Sequence, residues 1–436
     1  MMRTGFLVAL VGLLALALAL PAQAVEIEEW ETDEGLRVLY VAAPDLPMVD
    51  LRLTFDGGAS RDGDQNGLAS LTSSALQHGT AEMDADALAE GFESVGAQFS
   101  TTALRDMAIV SLRSLTEPDW MDAALETMSA VLAEPAFPEA DFDRARRQAL
   151  QGLQRERQDP GSVATRRFYA LMYGDHPYAN WPGGERETLE ALQPADARAF
   201  YERHYTTANG ALAITGGLSR SEAEAAAARI SAALPQGPAV EPLPAVEPRE
   251  DPVEERIDFP SEQAHIHMGA PTLRRGEDDH YALTLANHAF GGGGFISRLF
   301  LEIRSARGLA YSVSSRFQPM AVEGPFRIGM QTGVDQADEA VTALREELER
   351  WHAEGIDADE LEASRENVVN SFPLSLASNS DIVGLLGMIA FYDLPLDYLE
   401  RYIERMEAVE LDHLNARLRE RINPEAMVTV IVGGQE

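Results

Sequence analysis

Two stretches set one above the other decide the fold: LEALQPADARAFYERHYTTANGALAITGG, from Leu189 to Gly217, and MEAVELDHLNARLRERINPEAMVTVIVGG, from Met406 to Gly434. They align without a gap, with Leu189 on Met406, Leu192 on Val409, Asn209 on Ala426 and Gly217 on Gly434. Each reads as a helical stretch leading into an apolar strand that stops at a glycine pair. Upstream, FPEADFDRARRQAL (Phe137–Leu150) parallels IDADELEASRENVV (Ile356–Val369). Both open on an acidic turn able to cap a helix that carries Phe142 or Leu361 inward. Short amphipathic helices resemble one another by chance. Two matches in the same order, one of them ungapped, make internal duplication the better account.

Between the copies lies PAVEPLPAVEPREDPV, Pro238 to Val253. Repeated proline removes backbone donors and disfavours helix, so an extended linker is expected over 238–258. It separates an N-terminal domain, 25–237, from a C-terminal domain, 259–436. Strand patterns fall early in each half, at Met48–Phe55 and Met107–Leu112, then at Ala264–Met268 and Phe326–Met330. Helical patterns fill the rest. The expected class is α+β: two homologous domains, each an antiparallel-rich sheet with helices on one side.

The chain has 436 residues, enough for two cores. Its start reads as an export signal over 1–24: Arg3, an apolar run from Phe6 to Leu20, then the small-x-small site Ala22-Gln23-Ala24. An uncleaved anchor is the alternative. Export to the periplasm follows, with no membrane span expected after cleavage. There is no cysteine, so stability comes from packed cores and thiolate metal sites are excluded. A net charge of −36 and a pI near 4.5 argue against nucleic acid as a partner. The acidic residues are spread along the chain, which suits either a saline environment or a field that favours basic peptides.

GLASLTSSALQHGT, Gly67 to Thr80, resembles the metal helix of the pitrilysin/insulinase zinc peptidases, GLAHFLEHMxFKGT. In that family HxxEH sets two imidazoles and a general-base carboxylate on one helical face, and a later glutamate completes the zinc site. The frame agrees at Gly67, Leu68, Ala69, Gly79 and Thr80. The chemistry differs. Ser70 and Ser74 stand at the histidine positions, Ser73 at the glutamate, and Gln151-Gly152 at the later acidic pair, ahead of Asp159-Pro160. Neutral hydroxyls are poor zinc ligands, and Ser73 cannot take a proton from water as a carboxylate does. The resemblance therefore implies a half with no metal and no catalytic residue of its own. Gly96–Ser100 followed by Arg105-Asp106, and the loop His176-Pro177-Tyr178, also resemble family segments, with Ser100 where active members carry asparagine.

In the second half GGGGFISRLFLEIRSARGLAYSV, Gly291 to Val313, resembles the family stretch GGGxxSRLFxxLREKRGLAYSV. Its glycines lack the Lys-Ser/Thr of a phosphate loop. The resemblance implies that Arg304 and Tyr311 form a pair facing the zinc of an opposing half. There a guanidinium can hold a peptide carbonyl or carboxylate, and a phenol can donate to a developing oxyanion. His265 and His267 alternate onto one strand face, with no acidic ligand identifiable beside them, and read as ordinary strand residues. His288 reads as a packed or solvated helix residue.

The resemblance spans about Val25 to Gly434. It implies a non-catalytic subunit that pairs, as a heterodimer, with an HxxEH-bearing homologue. Zinc is expected in that partner, with Arg304 and Tyr311 binding peptide substrates in trans. A peptide-binding or scaffolding protein of the same fold, with no role in hydrolysis, is the alternative. A peptidase with a novel zinc site around His265 and His267 is a third.

Overall fold

A computed structural model describes residues 26–434; the expected signal peptide, 1–24, lies outside them. The first half runs β1 (Glu28–Glu31), β2 (Arg37–Ala42), β3 (Met48–Phe55), α1 (Leu68–Ala75), α2 (Ala85–Glu93), β4 (Gln98–Ala103) and β5 (Ala108–Leu115). It continues with α3 (Pro118–Ala133), α4 (Glu139–Glu156), α5 (Pro160–Tyr173), α6 (Arg186–Ala191), α7 (Pro194–His204), β6 (Gly210–Gly216) and α8 (Arg220–Ala233). The second half runs β7 (Val253–Leu273), α9 (Asp279–Asn287), a π-wound segment (Leu299–Ala306), β8 (Ser312–Phe317) and β9 (Gly324–Gly333). It closes with α10 (Ala337–Glu354), α11 (Ala358–Ser371), α12 (Asn379–Phe391), α13 (Tyr398–Glu407), α14 (Leu411–Arg421) and β10 (Val428–Gly434).

The two sheets share one plan. In the first, β6 runs parallel to β2 and antiparallel to β3, which pairs with β5 and then β4 at the edge. In the second, the long strand β7 supplies two arms that flank β10. Val428 pairs with Val253 and Gly269, and Val432 with Ile257 and His265, so β10 runs with the first arm and against the second. The second arm then pairs with β9, and β9 with β8. The class is α+β, and five positions repeat in the same order and sense, β2, β6, β3, β5 and β4 in the first sheet and the first arm of β7, β10, the second arm, β9 and β8 in the second, while β1 has no counterpart. β7 starts at Val253, inside the stretch read as linker, because the alternation of Val253, Glu255 and Ile257 already builds a half-buried strand face there.

Alternation along each strand fills two cores per sheet. Leu51, Leu53, Leu212 and Ile214 face the first half's own helices, and Ile266, Phe326, Ile328 and Ile431 face those of the second. The opposite faces are covered by exchange. α12 of the second half lays Ile382, Val383, Leu386 and Ile389 on Leu39, Val41, Ala211 and Ala213 of the first sheet. Reciprocally, α5 of the first half lays Ala164, Phe168 and Met172 on Val428, Val430 and Val432 of the second. Each large aliphatic or aromatic side chain so buried contributes roughly 1.5–3 kcal/mol. This also explains the all-round apolarity of α12, which is a core helix; among the described residues no single helix is long and apolar enough to cross a membrane.

The proline-rich connection is docked. Arg61 donates to the Glu241 carbonyl at 2.8 Å, the His176 imidazole donates to the Pro244 carbonyl at 2.9 Å, and Arg249 donates to the Leu171 carbonyl at 3.1 Å. Val246 is buried in the core beneath α5.

Candidate functional site

α1 carries Ser70, Ser73 and Ser74, the positions that resemble the family's metal helix. Gly67 opens it at φ +96°, and a Cβ there would meet Gly184 Cα at 2.8 Å, so only glycine fits. The Asp62 carboxylate accepts from the Gly67 and Ala69 main-chain N–H groups, both at 2.7 Å, and so caps the helix. Burial pushes the Asp62 carboxyl up to about 7, against the pull of those two bonds.

On the helix face, Ser70 donates to the Pro182 carbonyl at 2.5 Å. Ser73 is 1% exposed and its hydroxyl has no partner among the described residues, while Ser74 is half-buried. α4 packs against α1 and brings Gln151 and Gly152 along; Gln151 is exposed, and open space lies where a Gly152 Cβ would stand. Three neutral hydroxyls, an amide and a glycine do not make the imidazole-and-carboxylate set that zinc takes in this family. The residues present do not fit the metal. Among the described residues no group of three or more His, Asp and Glu is placed to hold one.

The second half holds its motif differently. The π-wound segment is pinned at both ends: Arg298 forks onto the Glu360 carboxylate of α11, and Arg307 reaches Glu346 at 2.9 Å and Glu347 at 3.7 Å on α10. Gly308, at φ +68°, ends the segment, and the Tyr311 N–H donates to the Gln331 carbonyl at 2.8 Å to begin the edge of β8. Arg304 is exposed and makes no ion pair among the described residues; its guanidinium lies 4.9 Å over the Phe300 ring. Phe300 in turn meets Phe295 edge-on at 5.0 Å. Tyr311 is 61% exposed, and beside this group Phe295 and Ile296 are exposed at 75% and 59%. No hydrogen bond joins Arg304 to Tyr311.

The remaining sequence candidates resolve into packing. His176 accepts the Tyr178 N–H at 3.0 Å, and His288 bonds Ser364 and Asn367, each at 3.0 Å. The buried Arg105 donates to the carbonyls of Tyr178 and Asn180. Ser100 is exposed on β4. His265 and His267 share one face of β7 as the alternation predicts. Thr165 of α5 bonds His267 at 3.0 Å, and burial holds that imidazole down at about 3, so it stays neutral. The acid near His265 is Asp159, which caps α5 by accepting the Ser162 N–H at 2.7 Å.

One feature of this face escaped sequence reading. Arg316 of β8 and Arg327 of β9 stand directly opposite each other. The signal was present, since both fall at outward positions of alternating strands, but their pairing needs the register.

Comparisons with known proteins agree with this geometry. Residues 37–181 match the family model described as insulinase (peptidase family M16), and residues 191–368 match that described as peptidase M16 inactive domain. A solved peptidase M16 inactive domain from Pseudomonas fluorescens is 38% identical, with a TM-score of 0.90 over 93% of this chain and 98% of that one. An uncharacterised zinc protease of Streptomyces coelicolor is 26% identical over 91% of this chain and 87% of its own length. A non-peptidase homologue of Helicobacter pylori, YmxG, is 24% identical over 92% of each. With serine, glutamine and glycine at the metal-motif positions, the chain belongs to peptidase family M16 as an inactive homologue.

Proposed function

We propose that this chain is the non-catalytic subunit of an exported M16 peptidase, working in the periplasm beside a homologue that carries HxxEH and zinc. It lends Arg304 and Tyr311 to the partner's substrate. One observation carries the reading: a guanidinium stands exposed on a segment pinned at both ends and a phenol stands exposed just beyond it, neither in an ion pair or side-chain hydrogen bond among the described residues, in a chain whose positions resembling the family's metal ligands hold serine. A residue held so, without an internal role, suits a ligand supplied from outside. Arg304 would hold a peptide carbonyl or carboxylate, and Tyr311 would donate to the oxyanion that forms on attack.

The test is reconstitution. Adding the chain to an HxxEH-bearing homologue should raise peptide turnover, and Arg304→Ala or Tyr311→Phe should remove the gain while the complex persists on a sizing column. Loss of one oxyanion donor lowers kcat on the order of 10²–10³-fold. Full activation by the double variant would rule the reading out. The exposed Phe295 and Ile296 support a second reading, a peptide-binding or scaffolding protein. In that case the complex forms and turnover is unchanged.

A further inference from the structure

We infer that the face of the second sheet turned toward α5 is a binding site for an extended peptide presenting a carboxylate, with Arg316 and Arg327 as the pair that recognises it. The inference deepens the subunit reading and rests on it only for taking peptide as the ligand.

The charge balance makes this pair anomalous. The chain carries 71 acidic residues against 35 basic ones, and most described arginines find a carboxylate, as Arg113 does with Asp50 and Arg167 with Glu255. Arg316 and Arg327 are direct cross-strand neighbours, yet neither makes an ion pair or a side-chain hydrogen bond among the described residues. Like charges directly opposite on a sheet destabilise it. Arg327 is also half-buried, and both burial and Arg316 lower its proton affinity. Nothing in the fold requires two cations here. A bound oxyanion would satisfy both, through the forked geometry that guanidinium offers a carboxylate.

The surroundings suit a peptide. Along β8 and β9 the next rows inward from the arginine pair are Ser314 opposite Gly329, then Ser312 opposite Gln331. His267 and His265 flank those rows on β7. Gly329 leaves the floor without a side chain, and the first turn of α5 and Trp181 wall a cavity of about 390 Å³ over it. Hydroxyls, an amide and neutral imidazoles can bond a peptide backbone without demanding charge. Asp159 already occupies the amino end of α5, so an anion is repelled there and directed to the arginine end.

Fluorescence anisotropy on the chain alone tests this, needing neither a partner nor hydrolysis. The probes are labelled short peptides in about 0.15 M salt, where screening falls off over roughly 8 Å. One alternates glutamate with alanine and has an amidated end. A second alternates glutamine with alanine and has a free carboxylate, and a third is the amidated glutamine peptide. Tighter binding of the first assigns the site to side-chain carboxylates, and of the second to the chain terminus. Arg316→Gln and Arg327→Gln should each weaken the preferred probe about tenfold, the loss of one charge-assisted contact. Arg316→Gln also removes a like-charge contact, so it should unfold no more easily than wild type. Equal binding of all three peptides, or unchanged affinity in both variants, overturns the inference. Either result leaves the reconstitution test untouched.

Discussion

The phenol of Tyr392 donates to the buried carboxylate of Asp106 at 2.9 Å, joining the end of α12 to the turn between β4 and β5. The same oxygen accepts the Ala321 N–H at 2.9 Å, from the turn between β8 and β9. Tyr178 completes the junction: its phenol accepts the Val322 N–H at 3.2 Å, and its carbonyl accepts from Arg105. The Arg-Asp and His-Pro-Tyr segments thus meet as a latch between halves. Tyr392→Phe should lower the unfolding free energy by about 1–2 kcal/mol, and Asp106→Ala by about 3 kcal/mol because buried donors lose their acceptor. Urea unfolding measures both. It should remain one transition, and two separate transitions would contradict the latch.

Asp62 gives a pH signature. Its carboxyl stands at about 7 in the folded chain, against 3.8 for a free side chain. Between those values the folded chain holds a proton that the unfolded chain has released. Its contribution is therefore fully present below about pH 4 and is lost as pH rises through 7. Urea midpoints taken at pH 5 and pH 8 should fall further for wild type than for Asp62→Asn. An equal fall in both proteins refutes the assignment.

Two of the positions that resemble the family's metal ligands predict opposite outcomes. Gly152 lies inside α4 with open space around its absent Cβ, so Gly152→Ala should stabilise by about 0.5–1 kcal/mol. Ser73 is enclosed, so Ser73→Glu should cost about 3 kcal/mol by burying an unpaired carboxylate. Thermal unfolding of the two variants checks the contrast. If Ser73→Glu is neutral, the packing described around α1 is wrong.

The surface charge predicts a salt response. All 35 basic residues are arginine, against 71 acidic ones, so self-repulsion is strong at low ionic strength. Raising sodium chloride to about 1 M shortens the screening length to roughly 3 Å. The melting temperature should then rise by roughly 3–6 °C, a few kcal/mol of relieved repulsion. A fall on adding salt would show that the surface ion pairs outweigh the self-repulsion.

The family and the fold class were legible in the sequence because their signals are local. The stretches around Leu189 and Met406 each encode one helix and one strand, and Ser70, Ser73 and Ser74 lie within a turn of one another. The sequence did not reach the exchange of α5 and α12. Periodicity reports that Leu386 faces something apolar, and only the fold says that it is Leu39 of the other half. Arg316 and Arg327 were invisible for the same reason, being eleven residues apart in sequence and joined only by register. Val253 to Ile257 reads as linker because proline and glutamate crowd its approach, while the strand is made by three alternate side chains.

The traded helices carry a consequence for how the molecule can be cut. A protease that nicks the proline-rich connection would leave both fragments clasped, since each still covers an oily surface belonging to the other. Either fragment produced alone would bare Leu39 and Val41, or Val428 and Val430, and precipitate.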